Sequence, residues 1–177
     1  FIDADVRIDA RFVEWFSVHA TPGSFYLPWP VHLEAYGTVL CTRAAFDAIG
    51  GYDEAFRLWG GEDWDLYFRL LRAGHSESTY PLEFVSPISH GTDERYQFYA
   101  EKDVRAHHLI SQLYFYMKWD IESLRKRSLE FEERKALMSM AGDFCETFIR
   151  TGGGVKEIEL GENPEATRFI EWIVERK

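Results

Sequence analysis

At 177 residues and 46% hydrophobic composition, the chain can bury one sizeable core, or one core with an appendage. A net charge of −10, a sequence pI near 5.1 and no Lys/Arg run argue against a nucleic-acid or anionic-membrane partner; an anionic substrate would need help, most simply from a metal ion. Two cysteines, Cys41 and Cys145, are too few for a disulfide framework, lack metal-ligand spacing and read as buried small residues.

No stretch approaches the ~18 uninterrupted apolar residues of a membrane span, and no signal peptide is visible. The chain opens at Phe1 without an initiator Met, which reads as a truncation. Nothing in it marks a compartment, and a bacterial source would make it cytoplasmic.

Phe1 to Val6 reads as the end of a buried strand running into an acidic turn. Phe12, Val13 and Phe16 lie at helical spacing within Arg11 to Val18. Ala20 to Pro30, with Pro22, Gly23, Pro28 and Pro30, reads as loop. His32 to Cys41 is a strand candidate containing Gly37, where a glycine signals close approach by a ligand or another chain segment. Arg43 to Ile49 predicts a short helix closed by Gly50-Gly51, and Tyr52 to Gly60 a loop. Glu62 to Ala73 predicts an amphipathic helix ended by Gly74, with Trp64, Leu66, Tyr67, Leu70 and Leu71 offered to a core. Glu83 to Ser89 reads as a strand. From Asp93 to about Arg150 the pattern is helical, with Val104, Leu109, Leu113, Tyr116 and Leu124 as apolar anchors and Glu130 to Lys135 as a charged face. Gly152-Gly153-Gly154 breaks it, and Glu165 to Lys177 predicts a last helix with Phe169, Ile170, Ile173 and Val174 inward. The boundary near residue 92 divides an α/β half, 1–92, from a mostly helical extension, 93–177.

Two acidic segments carry chemistry. Asp3-Ala4-Asp5 follows an apolar run; residues two apart in extended chain point the same way, so both carboxylates can serve one hard divalent cation such as Mg²⁺ or Mn²⁺. A solvated turn with Asp9 as a helix cap explains the same residues without a metal. Trp59-Gly60-Gly61-Glu62-Asp63-Trp64-Asp65 packs glycines, indoles and three carboxylates together. Glycines admit close backbone approach, indoles can stack on a sugar ring, and carboxylates accept its hydroxyls. First-turn acids that complement a helix dipole, and a plain core role for Trp59, remain open. His107-His108 read as surface or core residues of a helix.

The run Tyr36-Gly37-Thr38-Val39-Leu40, Gly50-Gly51-Tyr52-Asp53-Glu54, Trp59-Gly60-Gly61-Glu62-Asp63 and Arg69-Leu70 resembles the C-terminal half of glycosyltransferases of the A-type (GT-A) fold. The likeness is to the galactosyltransferase and chondroitin-synthase-like group and to family 2 enzymes broadly. Asp3-Ala4-Asp5 matches their metal-binding Asp-x-Asp motif. The resemblance implies that Asp5 ligates a divalent metal, Mn²⁺ or Mg²⁺, completed by His90, and that Asp3 contacts the nucleotide ribose or a metal-bound water. It implies that Asp63 is the general base on the acceptor hydroxyl, that Trp59, Gly61 and Glu62 hold sugar, and that Gly37 leaves room for the donor. A carboxylate rather than Asn at position 63 favours inversion at the anomeric carbon.

The expected activity is therefore inverting, metal-dependent transfer of a sugar from a nucleotide-diphospho-sugar, UDP-linked by expectation, to a saccharide or glycan acceptor. The resembled enzymes carry a nucleotide-binding half before the Asp-x-Asp motif, so an upstream half or a homo-oligomer is the expected complement. The rival expectation is a non-catalytic carbohydrate-binding or assembly segment that lacks donor binding.

Overall fold

A computed structural model of the chain describes residues 1–88 and 103–150. The chain divides into two units, Phe1–Asp53 with Asp63–Phe98, and Glu54–Glu62 with Tyr99–Lys177. Among the described residues the first is mixed α/β and the second helical.

In the first unit β1 (Val6–Ile8) pairs antiparallel with β4 (Val85–Pro87), and β2 (Ser24–Trp29) pairs parallel with β3 (Ser76–Pro81), Ser24 opposite Ser76 and Trp29 opposite Pro81. β2 is the organising strand. Phe25, Tyr26, Leu27 and Pro28 are all buried, as expected of a strand covered on both faces. Side chains alternate along it. Tyr26 joins Phe12 and Phe16 of α1 (Arg11–His19), with Val6, Tyr80, Phe84 and Val85. Phe25 and Leu27 join Ala45 of α2 (Arg43–Ala48), Val39, and Leu66, Tyr67 and Leu70 of α3 (Glu62–Arg72) on the opposite side. The strand thus separates two small cores.

Local chemistry sets the helix limits. The Thr42 hydroxyl caps α2 by accepting the Ala45 N–H at 3.1 Å. In α3 the buried Asp65 carboxylate accepts from Arg69 Nε at 2.8 Å, one turn on, and Arg69 also donates to the Ile49 carbonyl at 2.8 Å. That bond ties α3 to the end of α2. Burial of Leu66 and Leu70 is worth about 1.5–3 kcal/mol each.

In the second unit α4 (Val104–Arg125) and α5 (Phe131–Arg150) pack through Ile110, Leu113, Tyr114 and Met117 against Leu137, Met138, Ala141 and Cys145. Asp103 caps α4 by accepting the Arg105 N–H. Lys126, at φ 51°, turns the chain out of it. Glu133, in the first turn of α5, reaches back to the Glu130 N–H, half of a capping box. The same carboxylate binds Arg127 through both oxygens, and that pairing holds it down at about 2.

Several sequence expectations need correction. Ala20 to Pro30 is not a loop throughout, because it contains β2; β3 lies where no strand was expected. His32 to Cys41 is not a strand: Leu33–Ala35 form a 3-10 turn and only Leu40 bridges, to Tyr26. Phe1 to Asp3 lies outside any strand, and β1 starts only after the acidic turn. Val13, Trp64 and Leu71 face solvent, as do Leu109, Tyr116 and Leu124 of α4, so its buried stripe runs through Ala106, Ile110, Leu113, Tyr114 and Met117. The predicted single helical run is two helices. The triple glycine, the last helix and His90 lie outside the described residues. No described helix is long and apolar enough to cross a membrane.

Candidate functional site

The residues singled out by sequence fall into two groups. Asp3, Asp5, Gly37 and Asp63 belong to the first unit; Trp59, Gly61 and Glu62 belong to the second.

In the first unit the site is built around the segment Tyr36-Gly37-Thr38. The Tyr67 hydroxyl, from α3, donates to the Tyr36 carbonyl, and the Tyr80 hydroxyl, from β3, donates to the Thr38 carbonyl at 2.9 Å. Two buried phenols thus hold the carbonyls on either side of Gly37. On the far side Val39 and Phe1 exchange backbone hydrogen bonds, Val39 N–H to the Phe1 carbonyl at 3.1 Å and the Phe1 amine to the Val39 carbonyl at 2.7 Å. That exchange brings Asp3 onto Gly37. A Cβ on Gly37 would lie 2.5 and 2.7 Å from the Asp3 carboxylate oxygens and 2.9 Å from its carbon. The close approach signalled by this glycine is therefore made by Asp3.

Asp3 and Asp5 bound a tight turn closed by Val6 N–H to the Asp3 carbonyl at 3.1 Å, not an extended strand, so the same-side argument from strand geometry does not apply. The Asp5 carbonyl accepts the Ile88 N–H, extending the β1–β4 ladder. Their carboxylates are the oxygen donors that a hard divalent ion takes. Among the described residues no group of three His, Cys, Asp or Glu side chains is arranged to hold a metal ion.

Asp63, half-buried in the first turn of α3, accepts a hydrogen bond from the Tyr52 hydroxyl at 3.3 Å. Its charge is felt by the neighbouring phenols. Burial pushes Tyr67 far above the ordinary phenol range, and Asp63, Tyr52, Tyr36 and Asp3 add to the rise. Tyr80 is raised by burial and by Asp3. Tyr36 is raised by burial and by Glu77 and Asp63. These phenols stay neutral, as donors, across the physiological range. Asp3 and Asp63 both bear on Tyr67, so the structure brings these two carboxylates to one part of the unit.

The glycines of the Trp-Gly-Gly segment have a different neighbour. Gly60 and Gly61 both sit at φ 94°, a conformation that favours glycine. A Cβ on Gly60 would meet the His108 ring at 2.9 Å, and one on Gly61 would meet Phe56 and Ser111 at 3.0 Å. The backbone approaches α4 of its own unit. The Trp59 N–H goes to Nδ1 of buried His107 at 3.2 Å, and the Trp59 ring tilts over His108 at 4.8 Å. The Tyr67–Tyr80 clamp was half legible in the sequence: Tyr67 stood among the residues offered to a core, while Tyr80 lay where no strand was expected.

Residues 19–99, rather less than half of the chain, match a family described as the N-terminal domain of galactosyltransferase. The match includes Gly37, Trp59 to Asp63 and His90, and begins after Asp3 and Asp5. A stretch of 54 residues is 32% identical to polypeptide N-acetylgalactosaminyltransferase 12 of Mus musculus; it covers 30% of this chain and 9% of that protein. The chain thus spans a small part of this relative's length. No solved structure matches. The chain carries a glycosyltransferase-like domain.

Proposed function

We propose that this chain is part of an inverting, metal-dependent glycosyltransferase of the GT-A fold that moves a sugar from a nucleotide-diphospho-sugar, UDP-linked, to a saccharide acceptor. The observation that carries the reading is the placement of Asp63. It stands in the first turn of α3, bonded to the Tyr52 hydroxyl, in the part of the unit where the Asp3 carboxylate sits on Gly37.

In this reading Asp63 is the base. It receives the proton of the acceptor hydroxyl as that oxygen attacks the anomeric carbon from the face opposite the departing diphosphate. The Tyr52 hydroxyl orients the carboxylate, so that position rather than basicity does most of the work. Asp5 and His90 would hold a divalent cation, Mn²⁺ better than Mg²⁺ if an imidazole takes part, with Asp3 on the nucleotide ribose or a metal-bound water. That ion, when bound, would neutralise the leaving diphosphate. Trp59, Gly61 and Glu62 remain candidates for sugar contacts by resemblance alone; the packing of Trp59 on His107 and His108 supports a structural part for it.

The test is Mn²⁺-dependent release of nucleoside diphosphate from a panel of sugar nucleotides, in the wild-type chain and in Asp63→Asn. Turnover of one donor, lost by 10²-fold or more in the variant while donor binding persists, is the expected outcome. Equal turnover in Asp63→Asn refutes the base assignment. Saccharide binding without donor binding would instead establish a carbohydrate-binding segment.

A further inference from the structure

Tyr52, whose hydroxyl donates to Asp63 at 3.3 Å, stands on a turn that leaves α2 through Gly50-Gly51. The two glycine N–H groups bond back to the Asp47 and Phe46 carbonyls at 3.1 and 3.0 Å, so the end of α2 sets where Tyr52 begins. The Tyr52 ring lies edge-on to Phe46 at 6.0 Å and to Phe1 at 5.5 Å. Arg69 grips the same turn from α3. Its Nη1 donates to the Ile49 carbonyl at 2.8 Å while its Nε donates to buried Asp65, also at 2.8 Å. A guanidinium holds its donors in one rigid plane, so anchoring Nε on Asp65 fixes where Nη1 points. Asp63 and Arg69 lie six residues apart on one helix, about 9 Å along its axis. The stretch from Ile49 to Tyr52 is thus fastened to α3 at two points, and one of them is the bond to Asp63. The remaining Arg69 nitrogen, Nη2, is buried with no hydrogen-bond partner among the described residues. A side chain that served stability alone would gain nothing from a donor left there.

We propose, on the reading of Asp63 as the acceptor base, that Arg69 is a positioning residue for that base. Seated on Asp65, it holds the Ile49 carbonyl and so places the Tyr52 hydroxyl on Asp63. Arg69 touches neither substrate nor metal in this scheme; it acts through Tyr52. Lysine at this position keeps a cation beside Asp65 but has no planar fork to span Asp65 and the Ile49 carbonyl together.

The test uses the full chain with Arg69→Lys, Tyr52→Phe, their combination and Asp63→Asn, with folding checked by circular dichroism. An Asp65→Asn/Arg69→Gln pair, which leaves no buried charge, is the second variant should Arg69→Lys fold poorly. Transfer is followed as acceptor-dependent release of nucleoside diphosphate, and stability by urea midpoints. The expected result is a kcat lowered about tenfold in Arg69→Lys and in Tyr52→Phe, with the KM for donor unchanged. In the Tyr52→Phe background Arg69→Lys should cost less than a further twofold, and the urea midpoints should be non-additive in the same sense. Losses that multiply, an unchanged kcat in Arg69→Lys, or a donor KM that rises with the loss would overturn the proposal. Turnover unaltered in Asp63→Asn would refute the base reading instead. If no donor is turned over at all, that reading fails, and additive urea midpoints would also refute the seating of Tyr52 by Arg69.

Discussion

Gly37→Ala offers a quantitative test of how the acidic turn is seated. The added Cβ would sit 2.5 and 2.7 Å from the Asp3 carboxylate oxygens, whereas ordinary contact begins near 3.4 Å, so the carboxylate must retreat by about 1 Å. Gly37 is not among the residues with positive φ, so alanine fits the backbone. Two terms then compete. Overpacking costs about 1–3 kcal/mol, and the low end applies because the carboxylate is exposed and ends a short, rotatable side chain. Lost chain entropy in the unfolded state returns about 0.4–1 kcal/mol. The net expectation is a loss of about 0–0.6 kcal/mol, or a Tm lower by at most roughly 2 °C for a chain of this size. In an Asp3→Ala background the clash is absent, so the same substitution should be neutral or stabilising. A double-mutant cycle read by urea denaturation isolates the coupling. An equal cost in both backgrounds would refute the seating of Asp3 on Gly37.

Tyr67→Phe should cost about 1–2 kcal/mol, because it takes the donor from the Tyr36 carbonyl in a partly buried site, and denaturant midpoints will show it. Trp59→Ala should lower stability by about 2–3 kcal/mol, somewhat under the ~3–5 of a fully buried ring, since the indole packs on His108; a change in sugar affinity with stability intact would reverse that assignment. A thiol reagent at pH 8 should label half-buried Cys41 well before Cys145, which has no exposed surface and whose thiol burial pushes up to about 12. Because that folded value lies above the ordinary 9.0, the stability linked to Cys145 is complete below pH 9 and is lost as pH rises from there toward 12, measurable as a falling denaturant midpoint.

The helices were legible where a single apolar stripe met a clear stop. α2 closes at Gly50-Gly51 and α3 at Gly74, and the Leu66–Tyr67–Leu70 face of α3 is the buried one. β2 was hidden by its prolines. Pro28 is tolerated because its missing N–H falls on the side of Tyr26, where pairing is one bridge to Leu40, rather than on the β3 ladder. β3 was hidden by polarity, since Ser76 to Thr79 mark an edge and only Tyr80 turns to the core. In α4, Leu109 stands beside Ile110 and Tyr116 beside Met117, so composition gave two candidate faces and only packing against α5 chooses one. The carboxylates of the site were visible as residue types. Their seating was not, because it depends on backbone bonds between Phe1 and Val39, which no local pattern encodes.

β2 also bears on how such a domain can change over time. Its alternate residues supply two different cores, so losing or gaining one residue within Ser24–Trp29 would send Tyr26 toward the α2–α3 side and Phe25 and Leu27 toward α1. Neither pocket fits the other's side chains. Length variation should therefore be excluded from this strand and accumulate in the exposed stretch just before it, Ala20 to Gly23, where extra residues shift no register.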